Sequence, residues 1–374
     1  MVHRGSIESG VDEAEEAPLR TRDLASHPSC SADPWHPRWA GVAAALFLLS
    51  AVVTIAALAS AHRRPGMQAG KLEAELPHVS QLQQLPGLEM PGMIYGSAWK
   101  HDRTAELVKL ALEVGFAGLD TANQPAHYRE DLVGLGLEQF LAGQSQRSRA
   151  DIFLQTKYSP GQDTSQYGAA LRPYDAGAPV PQQVAQSMRT SLQHLRTDYV
   201  DSFVLHSPLQ SMEMTMQAWR AMEQLVTEGR AKSLGISNIY SLPQLQAIYA
   251  QARVKPAVVQ NHFAADKCFD VDLRRWCGEN GVKYQSFWTL TANGPGMASP
   301  PVQELVVSRG LTKQQVWFLF VMADGIVPLT GTTSLQHMKQ DLSLLQEAPL
   351  LEADRSSIWR YVQGHTGCAV LPLE

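Results

Sequence analysis

From Pro77 onward, short apolar runs alternate with longer segments whose apolar residues recur at helical spacing. "GMIYG" reads as a strand and "TAELVKLALEVG" as a helix closed by Gly115. The alternation repeats with "AGLD" before "YREDLVGLGLEQFL", "DIFLQTK" before "PQQVAQSMRTSLQHL", "YVDSFVLH" before "SMEMTMQAWRAMEQLVTEG", and "AKSLGIS" before "SLPQLQAIYAQA". "PAVVQN", "KYQSF" and "IVPLTG" add strands, each followed by a helix: "VDLRRWCGENG", "TKQQVWFLFVMADG" and "SLQHMKQDLSLL". The strands are nearly continuously apolar, as expected when both sheet faces are covered. Eight such units predict an α/β fold, a (β/α)8 TIM barrel. The alternative, a doubly wound open sheet, calls for G-x-G-x-x-G after its first strand. Here "GSAWK" follows that strand, and "GLG" at Gly134–Gly136 lies inside a helical pattern.

The pattern before Pro77 is different. Residues 1–39 are acidic, proline-spotted and aperiodic, the signature of a disordered tail. Ala40 to Ala61 carries no charge, and its 22 residues, at about 1.5 Å each, suffice to cross a bilayer core. Trp39 and Arg63-Arg64 flank it as interfacial anchors, so residues 40–61 are expected to form one transmembrane helix. A cleaved signal peptide is the rival, because Ala59-Ser60-Ala61 has small-x-small character. The long acidic leader and the length of the apolar run weigh against it. Arg63 and Arg64 after the run, against Arg38 before it, place the following domain on the cytosolic side of a single-pass membrane protein. Residues 62–76 read as a linker and 77–374 as the barrel.

Composition adds exclusions. A net charge of −5 leaves no nucleic-acid footprint. Cys30, Cys268, Cys277 and Cys368 form no C-x-x-C pair, so neither a zinc site nor a disulfide framework is suggested and no metal is expected.

Barrels of this kind gather chemistry at the C-terminal ends of their strands. Those ends are Gly96-Ser97, Asp120, Lys157, His206, Ser237-Asn238, Gln260-Asn261, Phe287 and Thr330-Gly331, with Tyr128 shortly after the second strand. Each has an ordinary reading: Asp120 as a turn cap, Lys157 leaving for solvent, Tyr128 as a half-buried helix residue, His206 as a satisfied loop histidine. Together they make one device. A buried Asp needs a cation, a Lys near a phenol favours the phenolate, and such a Tyr can serve as a general acid. The set suits protonation of an oxygen as hydride arrives at carbon.

"GLDTANQPAHYREDLVG", "SLQHLRTDYVDSFVLHSP" and "AWRAMEQLVTEGRAKSLGISN" occur in this order. The chain thereby resembles the aldo-keto reductases, NAD(P)H-dependent oxidoreductases on this barrel, from about Gly92 to Leu342. The resemblance implies Asp120, Tyr128, Lys157 and His206 as the catalytic tetrad. It implies Ser237, Asn238 and Gln260 as holders of the nicotinamide carboxamide and Phe287 as the ring that stacks on it. Gly96 and Ser97 join the cofactor-binding set. Thr330, Gly331, Thr332, Thr333, His337 and Asp341 fall where the family grips the adenosine phosphate. NADPH is the implied cofactor. NADH stays open because Leu329-Thr330 replaces the usual Lys-Ser and His337 stands where an Arg often contributes. The stretch "NQPAH" lengthens the Asp120–Tyr128 spacing and makes His127 a rival neighbour. "FWTLTAN" replaces the usual Tyr-Ser-Pro-Leu run, and "YSPGQDTSQYGAALRPYDAGAPVP" is long enough to be a lid. The implied activity is reduction of a small-molecule aldehyde or ketone by a membrane-anchored enzyme. The alternative is a cofactor-binding regulatory or sensor subunit of a membrane protein. A barrel glycosidase would need two facing rim carboxylates, and Asp120 is the one acid that ends a strand.

Overall fold

The computed structural model describes residues 90–143, 146–162, 164–168 and 171–368. Within them the eight apolar runs are parallel strands: β1 (Ile94–Gly96), β2 (Gly118–Asp120), β3 (Phe153–Tyr158), β4 (Val200–Leu205), β5 (Ala231–Ser237), β6 (Pro256–His262), β7 (Lys283–Phe287) and β8 (Val327–Thr330). They pair in sequence order, and β1 also pairs with β8, which closes the barrel. Closure removes every sheet edge.

The helices that follow are α1 (Thr104–Val114), α2 (Glu130–Ala142), α3 (Val180–Leu195), α4 (Met212–Thr227), α5 (Leu242–Gln251) and α6 (Val271–Glu279). After β7 come α7 (Gly294–Met297), α8 (Pro300–Arg309) and α9 (Lys313–Ala323), then α10 (Leu335–Ser343) after β8 and a final α11 (Glu352–Thr366). Each outer helix turns an apolar stripe to the strands. In α1 it is Leu107, Val108, Ala111 and Leu112, all buried at the spacing one helix face requires.

Strand periodicity decides what enters the barrel. On β3, Gln155 and Lys157 share one face while Thr156 and Tyr158 take the other. Thr156 bonds Glu130 of α2 and Tyr158 bonds Gln183 of α3, so that second face is the outer one. Gln155 and Lys157 therefore point inward, where the register sets Gln155 beside Asp120 and Gln260 beside Gln285.

The "GLG" glycines serve packing. A Cβ on Gly134 would lie 2.0 Å from the carbonyl oxygen of His194, so only glycine lets α2 lie this close to the end of α3. Three expectations change. Tyr128 precedes α2, which begins at Glu130. The helices α7, α8 and α11 were not legible as separate elements. The cysteines do include a disulfide: Cys268 and Cys368 are bonded with their Cα atoms 5.2 Å apart, joining the β6–α6 connection to the end of α11. Sequence spacing missed it because the two residues are 100 positions apart and only the fold brings them together. Cys277 is a free, buried thiol. The tail, the 40–61 run and the linker lie outside the described residues, as does Cys30. Among the described residues no helix is long and apolar enough to cross a membrane.

Candidate active site

Asp120 ends β2 inside the barrel, and Lys157 reaches it from β3, with Nζ 2.6 Å from Asp120 Oδ2. Both are buried, Lys157 at 0% exposure. The ammonium also donates to the Thr121 carbonyl at 2.9 Å. Burial pulls the Lys157 pKa below its ordinary value, and the Asp120 carboxylate opposes that by stabilising the charge. Tyr128 comes from the loop before α2. Its ring centroid is 5.3 Å from Lys157 Nζ and 6.1 Å from the His206 ring, which meets it edge-on.

His206 follows β4. Burial first, then the Lys157 charge and His127, push its pKa down to about 3. The imidazole is therefore neutral across physiological pH and cannot supply a proton as an imidazolium. Its Nδ1 lies 2.5 Å from Ser159 Oγ. A hydroxyl that donates there leaves the proton on Nε2, the tautomer that can donate to a substrate oxygen. His127, the rival, packs on Trp99 with ring centroids 4.1 Å apart and bonds Gln124 at 2.8 Å. That leaves Tyr128 as the ring against both Lys157 and His206.

The residues expected on the cofactor side line the same rim. Asn238 adopts left-handed backbone (φ 51°), a conformation Asn tolerates better than most residues. Its Nδ2 donates to the His206 carbonyl at 2.9 Å, tying it to the tetrad. Ser237 Oγ donates to the Gln260 carbonyl at 2.6 Å, and Gln260 Nε2 donates to Asp120 Oδ1 at 3.0 Å. Half-buried Phe287 stacks on His262, which Trp288 meets edge-on. Trp288 is at φ 54°, strained for so bulky a residue.

At β1, Ser97 Oγ donates to the Asp120 carbonyl at 2.9 Å, so this hydroxyl braces β2 beside Gly96. At β8, Thr330 Oγ1 donates to the buried Asp341 carboxylate at 2.7 Å, which fixes the strand end to α10. Thr332 and Thr333 are half-buried beside Gly331, and exposed His337 lies in the first turn of α10, which Ser334 caps.

Several neighbours were not anticipated. Lys100, buried in the β1–α1 loop, donates to the Gly331 carbonyl and brings a cation to the rim beside the end of β8. Ser159 and His262 each stand two residues past an assigned position, Lys157 and Gln260, without any pattern to mark them. Gln155 and Gln285 were findable, since each lies two residues before an assigned inward residue on the same strand.

With this geometry in place, comparisons with known proteins agree. The aldo/keto reductase family profile matches residues 92–295. An uncharacterized oxidoreductase of Schizosaccharomyces pombe is 26% identical over 260 residues, covering 69% of this chain and 83% of the relative. NADPH-dependent codeinone reductase 1-2 of Papaver somniferum is 25% identical over 308 residues, covering 76% and 89%. In fold, an aldo-keto reductase of the silkworm Bombyx mori, solved with NADPH, superposes with a TM-score of 0.61 at 20% identity, covering 75% of this chain and 90% of that one.

Proposed function

The chain belongs to the aldo/keto reductase family and is an NAD(P)H-dependent oxidoreductase, and on that premise we propose that it reduces an aldehyde or ketone to the alcohol. The observation that carries this is Tyr128 set between the buried Lys157–Asp120 pair and a neutral His206.

NADPH, when bound, supplies the hydride that reduces the carbonyl carbon. The residues for it fit. Gln260 retains Oε1 as a polar atom without a partner among the described residues, and Asn238 and Ser237 stand beside it. Phe287 offers a half-buried aromatic ring. Thr332, Thr333 and His337 surround the start of α10, with Gly331, Thr330 and Asp341 as its frame. Lys100 supplies a cation for the phosphates that Leu329 does not.

The protein's own groups handle the proton. His206 Nε2–H donates to the substrate carbonyl oxygen and orients it. Tyr128 gives its phenolic proton to that oxygen as negative charge develops, and Lys157 stabilises the phenolate left behind. Asp120 keeps the ammonium charged in a dry site. The test is NADPH oxidation by the purified protein against a panel of aldehydes, ketones and quinones. Turnover of at least one carbonyl class supports the reading, and none across the panel overturns it.

The charge-free run at Ala40–Ala61 supports a membrane tether for the enzyme. Arg63-Arg64 favours a cytosolic barrel, whereas Cys268–Cys368 favours an oxidising compartment. Carbonate extraction tests the tether. Thiol labelling of Cys368 in intact vesicles, before and after reduction, separates the two sides.

A further inference from the structure

Three glutamines meet around Asp120 inside the barrel, one each from β3, β6 and β7. Gln155 Nε2 donates to Asp120 Oδ1 at 2.7 Å and Gln260 Nε2 donates to the same oxygen at 3.0 Å. Both amides also donate to Gln285 Oε1, each at 2.8 Å. Gln285 Nε2 returns a bond to Gln155 Oε1 at 3.2 Å and approaches Met90 Sδ at 3.4 Å. None of the four residues is more than 2% exposed.

The direction of every bond follows from one group. An ionised carboxylate accepts and cannot donate, so Gln155 and Gln260 must both turn N–H groups toward Asp120. With two N–H donors converging on it, Gln285 must then present its oxygen. Three buried amides are costly in a barrel interior normally filled by branched apolar side chains, unless each is satisfied. Here Asp120 satisfies two of them and Gln285 joins the pair.

This belt settles which carboxylate oxygen faces the cation. Oδ1 is held by two amides, and Oδ2 is left for Lys157. It also sets the amide of Gln260, whose Oε1 remains for a donor outside the belt. We propose that Gln155 and Gln285 are positioning residues for the carbonyl reduction proposed above, on which this inference rests. Through Asp120 they fix where the Lys157 ammonium stands beside Tyr128. Through Gln260 they fix which atom is offered to the cofactor. Neither touches the reacting atoms.

The test uses the full chain, NADPH and a carbonyl that the wild type reduces. Gln155→Leu and Gln285→Leu are each expected to lower kcat by about 10- to 100-fold, while KM and the NADPH Kd change by less than about threefold. If the belt acts as a unit, the double variant loses no more than about threefold beyond the worse single variant. Gln285→Glu, which keeps an oxygen where both amides donate, restores kcat to within about fivefold of wild type. Single variants that fold and keep kcat within about threefold overturn the proposal, as do losses that multiply in the double. Should Leu prevent folding, Gln285→Asn, which withdraws the oxygen by one methylene, must turn over at least about tenfold slower than Gln285→Glu, and equal rates overturn the proposal. A wild type that neither binds NADPH nor reduces a carbonyl fails differently: it removes the reductase reading, and the positioning role with it.

Discussion

Asp324, at the C-terminal end of α9, sits among three donors. Arg274 and Trp359 reach its Oδ2 at 3.1 and 2.9 Å, and Arg355 reaches Oδ1 at 3.1 Å. Arg274 is further engaged by the Phe269 carbonyl at 2.8 Å. Asp120, equally buried, also has both oxygens satisfied, yet its cation is arranged differently. Of the three N–H groups on the Lys157 ammonium, Asp120 and Thr121 take two, and Tyr128 packs its ring against the same charge. The first cluster joins α6, α9 and α11, and its Arg355 also pairs with Glu352 at the surface. The second keeps capacity at its cation where a phenol is presented. Buried charge alone does not mark an active site; a buried charge with an unfilled direction toward a titratable neighbour does.

Separating the two clusters by mutation should break stability in one and chemistry in the other. Lys157→Met is expected to reduce carbonyl turnover by about 10³-fold while leaving NADPH affinity nearly unchanged, read by steady-state kinetics beside fluorescence titration. A parallel loss of NADPH binding would mean that Lys157 serves mainly to hold the rim. Asp324→Ala leaves the buried Arg274 without a carboxylate, while Arg355 keeps Glu352, and should cost about 3–5 kcal/mol of stability. Urea unfolding checks this, and kcat of the folded protein should stay within about threefold. Next in size is the disulfide. Cys368→Ser should cost about 2–4 kcal/mol, and a reductant should lower the wild-type midpoint similarly while leaving the variant unmoved.

The smallest effect belongs to His206. Its folded pKa, about 3, lies below the ordinary 6.5, so the unfolded chain protonates first as pH falls. The stability this group contributes is complete above about pH 6.5 and is lost as pH falls toward 3. Between pH 7 and 5.5 the wild type should lose about 1 kcal/mol more than His206→Gln in urea unfolding. Equal losses would place a charged imidazole in the folded site.

The barrel was legible because eight buried strands leave an unbroken apolar signature separated by amphipathic helices. That Asp120, Lys157 and His206 share one rim was legible because strand ends in this fold converge whatever the loops do, whereas Tyr128 reaches them from the β2–α2 loop. Partners across the barrel were not. Gln155 and Gln285 are 130 residues apart, on strands that do not pair, and meet only because the closed barrel turns both into its interior. Cys268 and Cys368 meet only because α11 folds back on the β6–α6 connection. Ser159 lies just past the end of β3, and nothing in "TKYSP" shows that its hydroxyl turns to His206. Lys100 stands in "GSAWK", which lacks the glycine pattern of a phosphate loop; closure of β1 on β8 puts it beside Gly331.

The central claim is that Tyr128 donates the proton. Single-turnover reduction by Tyr128→Phe, mixed with NADPH and a carbonyl that the wild type reduces, tests it without interference from product release. The variant keeps the ring against Lys157 and His206 but has no proton to give. Its expected rate is at least about 10²-fold below wild type, with the NADPH Kd within about threefold. A rate within about tenfold of wild type would contradict it and move the proton source elsewhere on the rim.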